Sequence, residues 1–350
     1  MALARVLFLS SLLIQRHPMK FFCTVLVFFL FSGLVLAQDL GYDTAYIEQN
    51  HDKMILRTYL SRKYTNLDLG EPQGLYEPNS GLNFGVGVTF QKFTLNIGVP
   101  LSFLNPDRKE DWPGFLDLQS HAYPQNWIID LFGQFYNGYF IRDFKSSGED
   151  YLRKDLRVVK LGASASYLFN GEKLSFEAAF HQSEIQKKSA ISPMVGFEVY
   201  RSRISGDSLV VPGGNEILGN FNSADFWQIG PNVGFAGTLV FGKGFFLSGA
   251  ASGNAGLGIA QADKNSDTRS FAFKTGYFLR GFAGYNGERY SVNISYVYKN
   301  LDLENLGTVS PDLNTGNYRL NLVYKLNPGP KLVKTYTKLN PLQILQRMFD

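Results

Sequence analysis

Cysteine is nearly absent from this chain of 350 residues; Cys23 is the only one. It stands at the start of an apolar leader, not at its end, which argues against a lipid-modified cleavage site. With the leader removed no thiol remains. Disulfides, thiolate catalysis and cysteine metal sites are then excluded together. Charge of one sign is also scarce. The formal net charge is +4, and part of it lies in the leader (Arg5, Arg16, Lys20) and the tail (Lys331, Lys334, Lys338, Arg347). No basic stripe with interleaved aromatics runs through the chain, so nucleic acid is not an expected partner. The sequence holds no Gly-x-x-x-x-Gly-Lys loop, no Gly-x-Ser-x-Gly elbow and no His-Glu-x-x-His pair. The sequence therefore calls for no metal and no cofactor. Long apolar runs are few. Residues 235–260 carry a single charge, Lys243, but also seven glycines. Each costs roughly 1 kcal/mol relative to Ala in a helix. Two strands around Gly242-Lys243-Gly244 suit them better than a membrane helix.

What the chain does have is aromatics (15%), 35 glycines and strict alternation. Leu82, Phe84, Val86, Val88 and Phe90 fall on one side of residues 82–91; Asn83, Gly85, Gly87, Thr89 and Gln91 fall on the other. A period of two is the signature of a strand, and it recurs along the chain. Short turns alternate with longer loops. Residues 157–169 and 173–183 flank Asn170-Gly171, and 269–285 and 289–299 flank Asn286-Gly287; Asn-Gly is a strong hairpin signal. Further strands are expected at 53–68, 93–103, 115–123, 127–141, 190–204, 225–241, 245–260 and 317–326. A strand at 208–217 keeps the alternation of turns and loops. The fold class is all-β, an antiparallel transmembrane β-barrel of about 14 strands, with 12 as the alternative. Mean hydropathy of −0.11 is no obstacle, because a barrel spreads its apolar residues thinly.

Residues 1–37 have the layout of a signal peptide: Met19-Lys20, an apolar core to Leu36, and a small-residue stop at Ala37. Residues 38–52 form a polar lead-in, 53–326 the barrel, and 327–350 a basic periplasmic tail opened by Asn327-Pro328-Gly329-Pro330. The tail, over residues 331–350, is a candidate docking peptide for a periplasmic protein.

In a membrane barrel the apolar row faces lipid and the polar row the lumen. Outer-membrane lipid is thus the expected partner of Leu82, Phe84, Val86, Val88, Ile129, Leu131, Phe135, Val292, Ile294 and Tyr296. Tyr285, Tyr290, Tyr298, Tyr318 and Tyr324 belong to aromatic girdles. The candidate lumen lining is Asp117, Gln119, His121, Asp130, Gln134, Lys160, Glu177, His181, Glu198, Lys274 and Arg280. Buried charges of mixed sign need partners, so ion pairs across the interior are expected.

A barrel hydrolase acting on lipid or surface polysaccharide is the alternative. It needs a serine beside a histidine oriented by a third group. His181 with Ser175 or Ser183, or His121 with Ser120 and Asp117, are the available sets. Ser120 and His121 point to opposite faces of one strand, and Asp117 lies about 13 Å from His121 along it. No catalytic activity is expected on that geometry.

Residues 59–64 (Tyr-Leu-Ser-Arg-Lys-Tyr), Tyr76-Glu77-Pro78-Asn79 and Gly85-Val86-Gly87 resemble successive marks of an uncharacterised outer-membrane barrel family of Bacteroidota. Leu116-Asp117-Leu118-Gln119, the block 127–140 and Gly230-Pro231-Asn232-Val233-Gly234 are similar to later ones. The resemblance covers about residues 50–326 and implies a barrel in the cell outer membrane. It implies no substrate and no catalytic residues. The expected role is a small pore, a passive transporter or a scaffold.

Overall fold

The computed structural model describes residues 41–50, 52–70, 74–90, 93–105, 114–213, 219–263, 269–331 and 333–334. The leader, the turn at Lys92 and most of the tail lie outside the described residues. A short strand, β1 (Ile47–Gln49), precedes the wall. The wall then runs through β2 (Met54–Asp68), β3 (Leu75–Pro78), β4 (Leu82–Phe90), β5 (Phe93–Pro100), β6 (Leu116–Ala122), β7 (Trp127–Ile141) and β8 (Tyr151–Leu168). A helix, α1 (Phe176–Phe180), and β9 (Glu184–Gln186) interrupt it. It resumes with β10 (Ala190–Ser205), β11 (Ser223–Phe241), β12 (Phe245–Ala262), β13 (Arg269–Asn286), β14 (Tyr290–Asp302) and β15 (Asp312–Leu326).

Pairing of β15 with β2, from Asp312↔Asp68 to Leu326↔Met54, closes the sheet on itself. Among the described residues the closed ring has ten strands: β2, β3, β7, β8 and β10 to β15. Closure removes the sheet edges that hydrocarbon does not tolerate. β4, β5 and β6 lie off this ring. β3 bridges Leu67 and Asp68 of β2 to Tyr139 and Phe140 of β7 at the end where the longer loops lie. Below it β4 pairs with β2 and carries β5, while β6 pairs with β7. Among the described residues no ladder joins β5 to β6, so a seam stands between them.

The expected count of about 14 strands is therefore corrected to ten in the ring and three beside it. Two of the predicted strands are absent. Residues 173–183 form a turn and α1, and residues 208–213 are bends and turns. The first case has a local cause. Ser175 is extended, and its hydroxyl accepts from the Ala178 amide at 3.0 Å, an N-cap that starts a helix. In the second, Val210 and Val211 are both buried, a consecutive pair that alternation forbids, and Pro212 and Gly213 follow. β8 begins six residues before its predicted start.

The outward row is apolar as expected: Phe84, Val86, Phe135, Val292 and Ile294 are all exposed on the outside. Aromatics gather towards its two ends. At the end carrying the termini of the wall lie the contacts Tyr290–Tyr324 (5.2 Å between centroids), Phe245–Tyr285 (5.3 Å) and Trp127–Tyr167 (5.3 Å). Farther up, Tyr296 stacks on Tyr318 at 4.3 Å, and Tyr64 and Tyr298 adjoin them. Inside, two tyrosines lie across facing glycines. A Cβ at Gly85 or Gly162 would come within 2.1 Å of the ring of Tyr59 or Tyr200. The inward rings fill the barrel because the opposite strand offers no side chain there.

Candidate functional site

Among the described residues the barrel interior concentrates ionisable groups away from water, so the site is built from the inward row. β7 and β13 stand five strands apart in the ring of ten, on opposite walls. Arg280 of β13 nevertheless reaches Asp130 of β7, and both are buried. His121 of β6 is the register partner of Asp130 and binds its other oxygen through Nδ1 at 2.6 Å. A second bridge joins β14 to β10: Lys299 Nζ donates to Glu198 Oε1 at 2.5 Å, and the Asn254 amide donates to the same oxygen. A third joins β8 to β15, where Lys160 Nζ donates to Thr315 Oγ1 at 2.8 Å. Lys160 is wholly buried beside the Phe132 and Tyr200 rings, at 5.3 and 5.5 Å. Near the seam Asp117 accepts from Gln134 (2.8 Å) and Tyr136 (2.6 Å), and Lys63 reaches it at 3.3 Å.

The structure thus brings Asp117, His121, Asp130, Gln134, Lys160, Glu198 and Arg280 into one belt of wall-to-wall bridges. Gln119 is half-buried on β6 and belongs to none of them. Lys274 lies higher, where its ammonium meets Asp302 at 2.9 Å and Asn305 at 3.1 Å. Glu177 and His181 are not on a wall strand, contrary to expectation. They sit on and after α1, where His181 Nδ1 meets Glu177 Oε2 at 2.8 Å.

Two further layers of buried side chains lie towards the two ends of the barrel. At the end with short turns, α1 enters the barrel with Leu174, Phe176 and Ala179 buried against Tyr123, Ile128, Met194, Phe246 and Phe282. The helix carbonyls, otherwise orphaned, accept from wall side chains. Asn286 donates to Ala178 (3.1 Å), Asn293 to Ala179 (3.1 Å), and Arg57 to His181 (2.8 Å). β1 pairs with β9 just after the helix. Tyr42 packs there, and its phenol is pushed well up, first by burial and then by the Glu184 and Glu177 carboxylates. At the other end Tyr76, Val210, Val211, Phe221, Leu306 and Val309 are buried together, and the Tyr76 hydroxyl donates to the Val210 carbonyl at 2.8 Å.

Sequence reading overlooked Arg57, Lys299, Arg319 and Lys325, all inward. Their parity was available: Tyr296 and Tyr298 outward make Lys299 inward. Among the described residues no serine or threonine hydroxyl bonds to either imidazole. Ser183 donates to Glu177 (2.6 Å), and Ser175 donates to Glu184 (2.5 Å). Among the described residues no group of three or more His, Cys, Asp or Glu is placed to hold a metal, and none of their helices is long and apolar enough to cross a membrane.

The family model for a domain of unknown function (DUF4421) matches residues 41–326. The chain belongs to this family. The match takes in the whole wall of the DUF4421 barrel, from β1 to β15. The sequence matches no curated protein. Among solved structures, the outer-membrane protease OmpT from Escherichia coli is 11% identical, with 83% of this chain and 100% of that chain covered and a TM-score of 0.35. An outer-membrane channel from Pseudomonas putida F1 is 13% identical over 78% of this chain and 95% of that one, with a TM-score of 0.33. The translocator domain of the autotransporter NalP from Neisseria meningitidis is 6% identical over 78% and 88%, at 0.32. Likenesses of this size carry no argument about activity.

Proposed function

We propose that this chain is an outer-membrane β-barrel that works with its lumen filled, as a membrane-anchored scaffold rather than a diffusion pore. The observation that carries the reading is the set of three barriers stacked along one lumen: the apolar cap, the belt of bridges and α1. An aqueous path needs all three to move. Wall-to-wall bridges such as Asp130–Arg280 occupy the volume that a porin leaves to water. The membrane location is supported by the outward apolar row, its aromatic ends and the closed ring, which together match the anatomy of bacterial barrels. Among the described residues the hydrolase alternative lacks the serine–histidine pair on which it depends.

Conductance across planar bilayers tests the proposal. The folded barrel, residues 38–350, is expected to give no steady channel at moderate voltage. Steady single-channel steps from heat-modifiable protein would overturn the filled-lumen reading. The inward cations Arg57, Lys160, Arg319 and Lys325 would then predict a preference for anions.

A further inference from the structure

The outward wall carries one strongly basic step. Arg157 of β8 and Arg201 and Arg203 of β10 all point out of the barrel, in register with Ser205, Leu161 and Val159 across the β8–β10 ladder. Asp225 of β11 lies opposite Arg203 and holds both neighbours. Its Oδ1 accepts from Arg201 Nη2 at 2.9 Å and Nε at 3.3 Å, and its Oδ2 from Arg203 Nη1 at 2.8 Å. Two guanidiniums thus share one carboxylate, and Arg157 is the third cation of the step. Asp155, two residues along β8 from Arg157, is taken by Arg153 at 2.8 Å. The Arg201 guanidinium lies over the Trp227 ring at 5.4 Å.

The depth of this step is fixed by the strands beneath it. From Ile191 to Arg201, and from Tyr167 to Arg157, the chain runs about ten residues, or roughly 33 Å. At the tilt of barrel strands, roughly 40°, that is about 25 Å of membrane normal, the height of the apolar band of a bacterial barrel. The arginines therefore sit where hydrocarbon gives way to headgroups.

Directly below lies an open apolar hollow of about 510 Å³, lined by Phe197, Ile229, Pro231, Leu257 and Phe273. It has a backbone cause. The β11–β12 ladder pairs Ile229 with Leu257 and Asn232 with Asn254 but skips Gly230 and Pro231. At the gap a Cβ on Gly256 would lie 2.1 Å from the Ile229 carbonyl oxygen. The wall there has close backbone approach and few side chains.

We infer that Arg157, Arg201 and Arg203, with the hollow beneath them, form a docking site for one phosphorylated lipid of the outer leaflet. The guanidiniums meet the phosphate and the hollow takes an acyl chain. Planar guanidinium forks suit phosphate oxygens, and Asp225 presets two of them. The inference rests on the outer-membrane reading above.

The test uses the full mature barrel, folded into phosphatidylcholine vesicles doped with bis-phosphorylated lipid A or with its dephosphorylated form. Lipid retained per barrel after extraction is read by mass spectrometry. The wild type is expected to retain the phosphorylated lipid about tenfold more, a preference of about 1.4 kcal/mol. R157A/R201A/R203A should abolish the preference. Ala255→Phe, which puts an outward ring into the hollow, should lower retention with every charge in place. Equal retention of both lipids by the wild type, or an unchanged preference in the triple variant, would overturn the site. Full displacement by inorganic phosphate would overturn the lipid as its occupant. A barrel that enters no vesicle of any composition would instead sink the outer-membrane reading.

Discussion

Asp130 is bonded from two sides inside the barrel, by His121 and by Arg280, and it is fully buried. Asp130→Ala leaves the guanidinium of Arg280 buried without a counter-charge. A broken buried pair costs about 3–5 kcal/mol, so the midpoint of urea unfolding in detergent should fall sharply. An unchanged midpoint would mean that water reaches Arg280. The Glu198–Lys299 pair makes a sharper test. E198Q and K299M singly should each destabilise more than the double variant, because the double removes both charges together. Strict additivity of the two would show that the groups do not interact. The inward positions of these residues were legible in the sequence, since parity alone separates Asp130 from Ile129 and Leu131. Their partners were not legible. Whether Asp130 meets Arg280 depends on β7 and β13 lying opposite each other, and ring order follows from strand number. His121 shows the same limit. It was weighed against Asp117 on its own strand, yet its partner is Asp130, one strand over and in register.

At the scale of elements, alternation located β7, β10, β11, β12 and β13 to within two residues of their ends. It failed where an element is too short to show a period. α1 has five residues, little more than one turn, and such a helix is held by tertiary packing rather than by propensity. Leu174, Phe176, Ala178 and Phe180 even alternate with Ser175, Glu177 and Ala179 as a strand would. The helix signal lay in Ser175 as a cap, and Asn170-Gly171 drew attention to a hairpin instead. Ser175→Ala removes both the cap and the bond to Glu184, at a cost of about 0.5–2 kcal/mol from the cap alone. Limited proteolysis within residues 170–189 should then speed up while heat-modifiability of the wall stays intact. Equal cleavage rates would show that α1 is held by packing alone. β5 offers the opposite case. Among the described residues it has a partner on one edge only, and residues 96–100 are exposed on both faces. Its amides should exchange hydrogen faster than those of β12, which is paired on both sides. Slow exchange across Ile97–Val99 would mean that the seam closes against β6.

For the whole molecule, position in the membrane follows from which residues face outward at each height. Trp127 lies in the aromatic belt at the end with short turns, and Trp227 lies under the arginine step at the other end. Val233, exposed on β11 and paired with Val195, falls between them. Aromatic side chains with a polar edge settle at headgroup level, while apolar rings tolerate the midplane. With Trp112 replaced by Phe, both remaining tryptophans should be quenched best by lipids brominated near the headgroup. A tryptophan placed by Val233→Trp, with Trp127 and Trp227 replaced by Phe, should respond best to bromine near the chain ends. The three positions then measure one axis. Deep quenching of Trp227 would draw Arg201 and Arg203 into hydrocarbon, where an exposed guanidinium costs several kcal/mol. The arrangement with Asp225 would then have to be a buried structural network. Shallow quenching at Trp227 together with deep quenching at position 233 places the guanidiniums at the phosphate level of the leaflet. The filled lumen proposed above fits with this placement. A barrel whose interior is bridged from wall to wall presents to its surroundings the outer wall and the two ends, and its specific chemistry then lies in the residues that meet lipid and in the loops at each mouth.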